Sequence, residues 1–340
     1  MLIFVNLNSD MVNMLQGSTK CRFLEQIRQI RELPISGEEL ASIIGVSRVT
    51  IWKTAKSLIA AGYPLSVDAA GYRIGKEASD DLLYPWEFEN YEQLIHYWDT
   101  TTSTMDRARE LAEKGAPAGS IVVAESQTAG RGRAGRTWES RRGGLFFTVI
   151  RRERIPIIRY AQEGMRATLS MADAISRTTG RKPELRWPND LYINDKKISG
   201  VLTEIRGDGD RIKWTLVGIG VNVNNPGDRA KSISCGELAG KHISRRHVLN
   251  AFVEAFNAYE TLTGANLALE WNSFAFGRGS HVAVLGAEHV AQKNQSDCFS
   301  SGIFEGIDEL GRAIIKTEMG TEPIDPGTGS LAWNCSKLNH

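Results

Sequence analysis

The sequence predicts an α/β (α+β) chain in three parts: an N-terminal winged helix-turn-helix, a central mixed sheet that carries chemistry, and a small C-terminal β-barrel. Three observations predict it. Helical apolar spacing fills residues 20–62, strand-like alternation takes over between about 120 and 223, and short strands broken by turns follow His281. At 340 residues the chain has room for two or three domains, and 41% apolar with 24% charged residues is a globular composition. Lys plus Arg number 41 against 40 Asp plus Glu, a formal charge of +1, so any attraction for nucleic acid must be local. The widely separated Cys21, Cys235, Cys298 and Cys335 suit neither a zinc site nor a disulfide framework, which points to a reducing cytoplasm. No apolar run approaches the ~18 residues of a membrane span, and no Lys or Arg precedes Lys20 as a signal peptide would require. Met11 and Met14 are alternative starts to Met1, and residues 1–19 are expected to be a poorly ordered extension.

From Lys20 to Leu33, Phe23, Leu24, Ile27 and Ile30 have helical spacing, and Pro34 stops the run. A short second helix covers about Gly37 to Ile44. After Gly45 and Val46, Ser47 is placed to cap a third helix with Ile51, Ala55, Leu58 and Ile59 on its inner face and Gly62 at its end. Two helices joined by a glycine turn, then a two-stranded wing over Tyr63–Ile74 turning at Asp68–Gly71, make residues 20–77 a winged helix-turn-helix. The third helix bears Arg48, Lys53 and Lys56 and no acid. Ser47, Arg48 and Thr50 are placed to meet bases and phosphates of DNA, with Lys53, Lys56 and Arg73 on the backbone. The plainer alternative is a solvated face of a packing domain. One copy would bind weakly, so a regulator would act as a dimer on two half-sites.

Asp80, Asp81, Pro85 and Trp86 break the pattern, and residues 78–92 read as a linker before a second domain at 93–275. Ser103 or Thr104 caps a helix through Leu111 to Gly115, and Ser120–Ala124 is a strand. Ser126 to Trp138 then places Arg131, Arg133 and Arg136 among Gly130, Gly132 and Gly135, with no acid inside the tract. Glycines let backbone approach an anion, guanidinium groups neutralise it, and Trp138 is placed to stack on a base. The alternatives are an RNA-binding arginine–glycine tract or a plain basic loop; a single short tract in a globular pattern disfavours the first.

A second constellation is Arg186-Trp187-Pro188-Asn189-Asp190. With a turn at Asn194–Lys196, strands Leu191–Ile193 and Lys197–Glu204 form a hairpin, which Lys213–Val223 extends. That pairing brings Lys197 close to Asn189 and Asp190, where its ammonium can offset developing negative charge. Gly200, Gly218 and Gly220 interrupt otherwise apolar strands, as bulges or close ligand approach require.

Gly-Arg-Gly-Arg-Ala-Gly-Arg-Thr-Trp, Arg-Trp-Pro-Asn-Asp-Leu-Tyr, Lys-Lys-Ile-Ser-Gly-Val-Leu and Gly-Ile-Gly-Val-Asn, in this order, resemble the motifs of biotin protein ligases. With the N-terminal winged helix, the likeness over about residues 20–320 is to the bifunctional ligase and biotin operon repressor variants. The resemblance implies a class II synthetase-like catalytic fold. It implies that ATP, with Mg²⁺ shielding its phosphates, activates the biotin carboxylate as an adenylate. A lysine of a biotin carboxyl carrier protein, from acetyl-CoA carboxylase or another biotin-dependent carboxylase, then takes the biotin. Position by position it assigns Ser103, Thr104, Gln127, Gly130, Arg131, Arg133, Lys197, Gly200, Leu202 and Gly218 to biotin, and Arg133, Arg136, Trp138, Asn189 and Asn222 to the nucleotide. Lys197, Arg131, Arg133 and Asp190 would be catalytic, Asp190 by orienting or deprotonating the attacking amine. Operator DNA and a homodimer formed with the adenylate bound are the further partners implied. Met105 replaces the family's usual Asn, and Arg141 its usual Pro. A ligase whose N-terminal domain reads no operator, a metabolite sensor without ligase activity, and a lipoate ligase are the competing readings; the retained Lys197 and loop arginines disfavour the second, and Gly-Arg-Gly-Arg the third.

Beyond the hairpin, a helix is expected from Val248 through Leu262 with Gly264 as its stop. Residues 276–326, with a turn at Asp308–Gly311, read as a small barrel that the resemblance makes SH3-like and adjacent to the active site. Residues 327–340 read as a fraying tail. No metal motif is present; the six histidines, His96, His242, His247, His281, His289 and His340, lack ligand spacing.

Overall fold

The Ser18 hydroxyl accepts the Cys21 N–H and opens α1 (Thr19–Gln29), one residue ahead of the expected domain start. Ser36 caps α2 (Gly37–Ile44) and Ser47 caps α3 (Arg48–Ala60), each by accepting an N–H three residues on. Gly45 ends α2 in the left-handed conformation, which turns the chain into α3. Phe23, Leu24, Ile27, Leu40, Ile44, Ile51, Ala55 and Leu58 form the core of this unit. Ile59, expected inside, is 44% exposed, and Thr54 takes the buried position. The wing is β1 (Leu65–Asp68) paired antiparallel with β2 (Gly71–Ile74). Ile35 adds a bridge to Tyr72, and a Cβ on Gly71 would fall 2.2 Å from the Ile35 carbonyl oxygen.

The computed structural model describes residues 17–30, 33–75, 81–153, 155–228, 230–286 and 298–333. The remaining parts of the expected N-terminal extension, linker and tail lie outside them. The chain divides into two compact units between Tyr97 and Trp98, within the strand at 95–101. Within the first, residues 81–92 are no open linker. Leu83 and Phe88 are buried, and buried Glu87 takes two 2.9 Å hydrogen bonds from Arg28 and one from the Tyr63 hydroxyl. Pro85 and Trp86 read as breakers because they start a short 3₁₀ turn, and the apolar residues around them supply the packing.

The second unit is built on a seven-stranded sheet in the order β3-β4-β5-β9-β8-β7-β6. Its strands are β3 (Ile95–Thr101), β4 (Ile121–Gln127), β5 (Leu145–Arg151), β6 (Glu184–Arg186), β7 (Asp190–Ile193), β8 (Lys196–Asp208) and β9 (Arg211–Val221). The expected hairpin is β7–β8, with β9 beside β8, all antiparallel. Between β3 and β4 runs α4 (Thr104–Glu113), capped by Ser103. The sequence reading did not identify α5 (Ala161–Thr179), whose buried face mixes Ala, Ser and Thr with Gln162, Glu163 and Arg166 and so lacks a plain apolar stripe. Glu163 is ion-paired there with Arg151 at 3.2 Å and with Arg166. A short α6 (Cys235–Ala239) and the longer α7 (Arg245–Ala258) follow. A 3₁₀ turn at Tyr259–Thr261 ends α7 early, and Gly264 opens α8 (Gly264–Asn272) instead of stopping a helix.

The C-terminal sheet runs β13-β12-β11-β10-β14, with β10 (His281–Gly286), β11 (Cys298–Ile307), β12 (Ala313–Thr317), β13 (Gly320–Ile324) and β14 (Gly329–Trp333). The strand β14 corrects the expected fraying after residue 326. Its Gly and Ser composition suggested a tail, but Gly329 to Trp333 pair with Gly286 to Val282, and Leu331 is buried. Bonds from Trp187 to the Gly311 carbonyl (2.9 Å) and from Tyr160 to Asp325 (2.7 Å) tie this sheet to the larger one.

Candidate functional site

A cavity of about 280 Å³ opens over β7, β8 and β9, walled by the N-terminus of α4 and the arginine–glycine loop. The floor is made by register. Gly200 faces Gly220 and Leu202 faces Gly218 across β8 and β9, so two neighbouring positions carry no side chain. The Trp138 ring lies over the first pair: a Cβ on Gly220 would sit 2.5 Å from its Nε1 and Cε2, and one on Gly200 would sit 3.1 Å from its Cζ3. Met105 covers Gly218 in the same way, its Sδ 2.5 Å from where a Cβ would stand. The substituted position at the α4 N-terminus therefore contributes an apolar, buried part of the cavity wall.

Lys197, in β8, reaches over this floor. Its Nζ is 2.7 Å from Asp190 Oδ2 and 5.2 Å from the centre of the Trp138 ring. The Lys197 backbone is held on both sides, donating to Lys231 O (3.0 Å) and accepting from Ile233 N (3.1 Å). At the other end, the Thr104 N–H donates to Gln127 Oε1 at 2.7 Å, the Thr148 hydroxyl to Thr104 Oγ1 at 2.9 Å, and Gln127 Nε2 to Ser140 Oγ at 2.8 Å. Ser103 is committed to its cap, accepting from Met105 N. Chained bonds of this kind fix polar groups in advance of a ligand.

The loop arginines point to different partners. Arg131 makes a two-bond pair with Asp106 (2.8 and 3.1 Å) and lies 3.7 Å from Glu204, which also holds Arg109. The Arg131 bonds, helped by Arg109, hold the Asp106 carboxyl below the usual carboxylate range against the opposing effect of its partial burial. Arg133 turns toward the C-terminal sheet, donating to the Pro326 carbonyl and to Gly329 O (3.1 Å), with Asn189 Oδ1 at 3.5 Å. Burial lowers this guanidinium below its ordinary value. Arg136 is exposed and bonds to Arg133 O. Arg141 and Arg142 pair with Glu139 and Asp99.

Of the sequence-predicted ligand residues, all except Gly130 line the one cavity. Gly130 lies just behind it, where a Cβ would strike Ser140 Oγ and Trp138 O at 2.5 Å. Asn189 bonds the Val201 carbonyl, and buried Asn222 accepts from Asn225 Nδ2 at 3.0 Å. The sequence reading missed Asp106, Glu204, Asn225 and the carbonyls at 326 and 329. Only Asp106 carried a signal, two residues beyond Thr104; the others depend on contacts between distant segments. Among the described residues no group of three or more His, Cys, Asp or Glu could hold a metal, and no helix is long and apolar enough to cross a membrane.

The predicted DNA face lies on α3. Arg48, Lys53 and Lys56 are exposed, as is Arg73 on the wing. Ser47 Oγ caps Thr50 N at 3.1 Å and lies 2.9 Å from Thr50 Oγ1, so the two hydroxyls are engaged with one another.

Comparison with known proteins accords with this geometry. Residues 97–224 match the Biotin/lipoate A/B protein ligase family, and residues 22–73 match an HTH domain. Bifunctional ligase/repressor BirA of Bacillus subtilis is 33% identical over 306 residues, covering 85% of this chain and 91% of that protein. Biotin--[acetyl-CoA-carboxylase] ligase of Paracoccus denitrificans is 30% identical over 66% of this chain and 95% of its own length. Among solved structures, biotin protein ligase from Aquifex aeolicus in complex with biotin and ATP superposes with a TM-score of 0.57 at 28% identity, covering 71% of this chain and 99% of that one.

Proposed function

The chain belongs to the biotin protein ligases that carry an N-terminal helix-turn-helix domain, and on that premise we propose how its residues divide the work. It is an ATP-dependent ligase that forms biotinyl adenylate and passes biotin to a protein lysine, and a transcriptional repressor. The observation that carries the ligase reading is the single cavity in which an ion-paired lysine, the arginine loop and a tryptophan laid over two facing glycines meet.

In the first step a biotin carboxylate oxygen attacks the α-phosphorus of ATP, the bond to the β-phosphate oxygen breaks and pyrophosphate leaves. Lys197, held by Asp190 Oδ2, presents positive charge where the carboxylate and phosphate meet. Ser103, Thr104, Gln127 and Gly130, with Gly200, Leu202 and Gly218 beneath, form the biotin end. Trp138, Asn189, Asn222 and Arg136 serve the nucleotide. Mg²⁺ would come on the ATP phosphates and shield them. In the second step the carrier amine attacks the acyl carbon, AMP leaves, and Asp190 orients that amine or takes its proton. Asp190 suits this because its Oδ1 lies 3.2 Å from the Cβ position of Gly200, at the cavity floor. Arg131 and Arg133 close the loop over the adenylate and exclude water.

The carrier is the biotin carboxyl carrier protein of acetyl-CoA carboxylase or of another biotin-dependent carboxylase. Repression calls for a homodimer with the adenylate bound, because a single recognition helix holds an operator weakly. Such a repressor works in the cytoplasm.

Biotin-dependent exchange of labelled pyrophosphate into ATP, with lipoate as the control acid, tests the ligase assignment. Exchange with biotin alone is expected. Exchange with lipoate alone, or with neither acid, would overturn it.

A further inference from the structure

The recognition helix presents two large apolar side chains to solvent at the place where bases would be read. Val49 is 61% exposed and Trp52 51%, one helical turn apart, while Ile51, Ala55 and Leu58 of the same helix fill the core. They border an open groove of about 420 Å³ between the start of α3 and the wing, with Arg48 and Val67 also on its wall. Exposed Arg48, Lys53 and Lys56 surround the pair, and Lys56 lies 5.1 Å over the Trp52 ring. The wing tip, Asp68 to Gly71, carries an acid and no base, and Glu38 is exposed on the same groove. Arg73 is the one base of the wing, so attraction for phosphate is strongest along α3.

We infer that Val49 and Trp52 determine operator specificity by packing against thymine C5-methyl groups in the major groove. The proposal rests on the repressor reading above and deepens it. Among the base edges of the major groove, the thymine methyl is the apolar feature, and it is read by apolar contact. The two hydroxyls at the start of this helix are less available, since Ser47 and Thr50 face one another. The basic side chains hold the helix in the groove while the apolar pair selects where it stops.

The full-length protein, with biotin, ATP and Mg²⁺, is used to select duplexes from a randomised pool. Each thymine of the selected site is then replaced in turn by deoxyuridine, which removes only the methyl. At one or two positions per half-site binding should fall about fourfold, the value of burying one methyl-sized group. In Val49→Ala or Trp52→Ala the penalty at the matching position should vanish, while the remaining positions and the salt dependence stay as in the wild type. A merely structural role for either side chain would weaken all duplexes alike and leave the deoxyuridine penalty intact, which would overturn the proposal. A selected site indifferent to deoxyuridine would also overturn it and leave the repressor reading standing. Failure to select any sequence would remove both.

Discussion

Adding one methyl group at Gly220 tests the nucleotide end of the site. In Gly220→Ala the new Cβ falls 2.5 Å from Trp138 Nε1 and Cε2 and 2.9 Å from Cζ2. Ordinary carbon contacts are about 3.5–4.0 Å, so the rigid indole must retreat by roughly 1 Å. The strand cannot yield in its place, because around Gly220 β9 is paired on one side with β5 and on the other with β8. Stacking of a base on an aromatic ring contributes about 1–3 kcal/mol, so the KM for ATP should rise between roughly fivefold and 150-fold as that contact is lost. The assay is biotin-dependent pyrophosphate exchange against ATP concentration for Gly220→Ala, Trp138→Ala and the double variant. If the glycine acts only through the ring, the double variant is no worse than Trp138→Ala. Gly218→Ala is the comparison: its Cβ meets the Sδ of Met105, which can rotate away, so the effect falls on the KM for biotin and not for ATP. An unchanged ATP KM in a folded Gly220→Ala, or fully additive losses in the double variant, would refute the stacking geometry.

The other predictions address separate parts of the chain. Lys197→Ala should lower exchange by about a hundredfold or more, the scale of losing one electrostatic stabiliser; a normal rate would remove Lys197 from that role. Arg133→Gly strips the two C-terminal carbonyls of their guanidinium donor, and biotinyl adenylate should then escape, measured as label trapped by free amines; undiminished retention would count against the loop as a cover. Arg48→Ala should weaken duplex binding and reduce its salt slope by about one without changing ligation, and a parallel loss of ligation would contradict the division between the units. Burial pushes the Cys21 and Cys235 thiols up to about 12 from 9.0. Peptide mapping after iodoacetamide at pH 8 should find both unmodified until the protein is denatured. Their unfolded thiols ionise first, so these two groups make stability fall as pH rises from about 9 towards 12; native labelling at pH 8 would show the packing to be wrong.

The elements that could be read in advance are those specified by neighbours in sequence. Serine caps, the αL glycine at 45 and the apolar spacing of Phe23, Leu24 and Ile27 define the helix-turn-helix within a few residues. The glycine–arginine tract and the Asn189–Asp190 to Lys197 hairpin likewise keep their chemistry within short segments. What could not be read depends on distance. Nothing near Arg131 announces that Asp106 and Glu204 will hold it, and Gly200 and Gly220 become a stacking floor only once β8 and β9 adopt their register. Helix α5 escaped because its buried face carries charges that Arg151 neutralises from another strand. The strand at 329–333 escaped because glycine and serine suggest looseness until β10 provides a partner.

The reach of Arg133 to the carbonyls of residues 326 and 329 also bears on how the protein is made. Those two acceptors are synthesised nearly two hundred residues after the arginine they receive, so a ribosome-bound chain already exposing the whole glycine–arginine loop still lacks the carbonyls that hold it. The loop therefore takes its hold through Arg133 only once synthesis has passed residue 329.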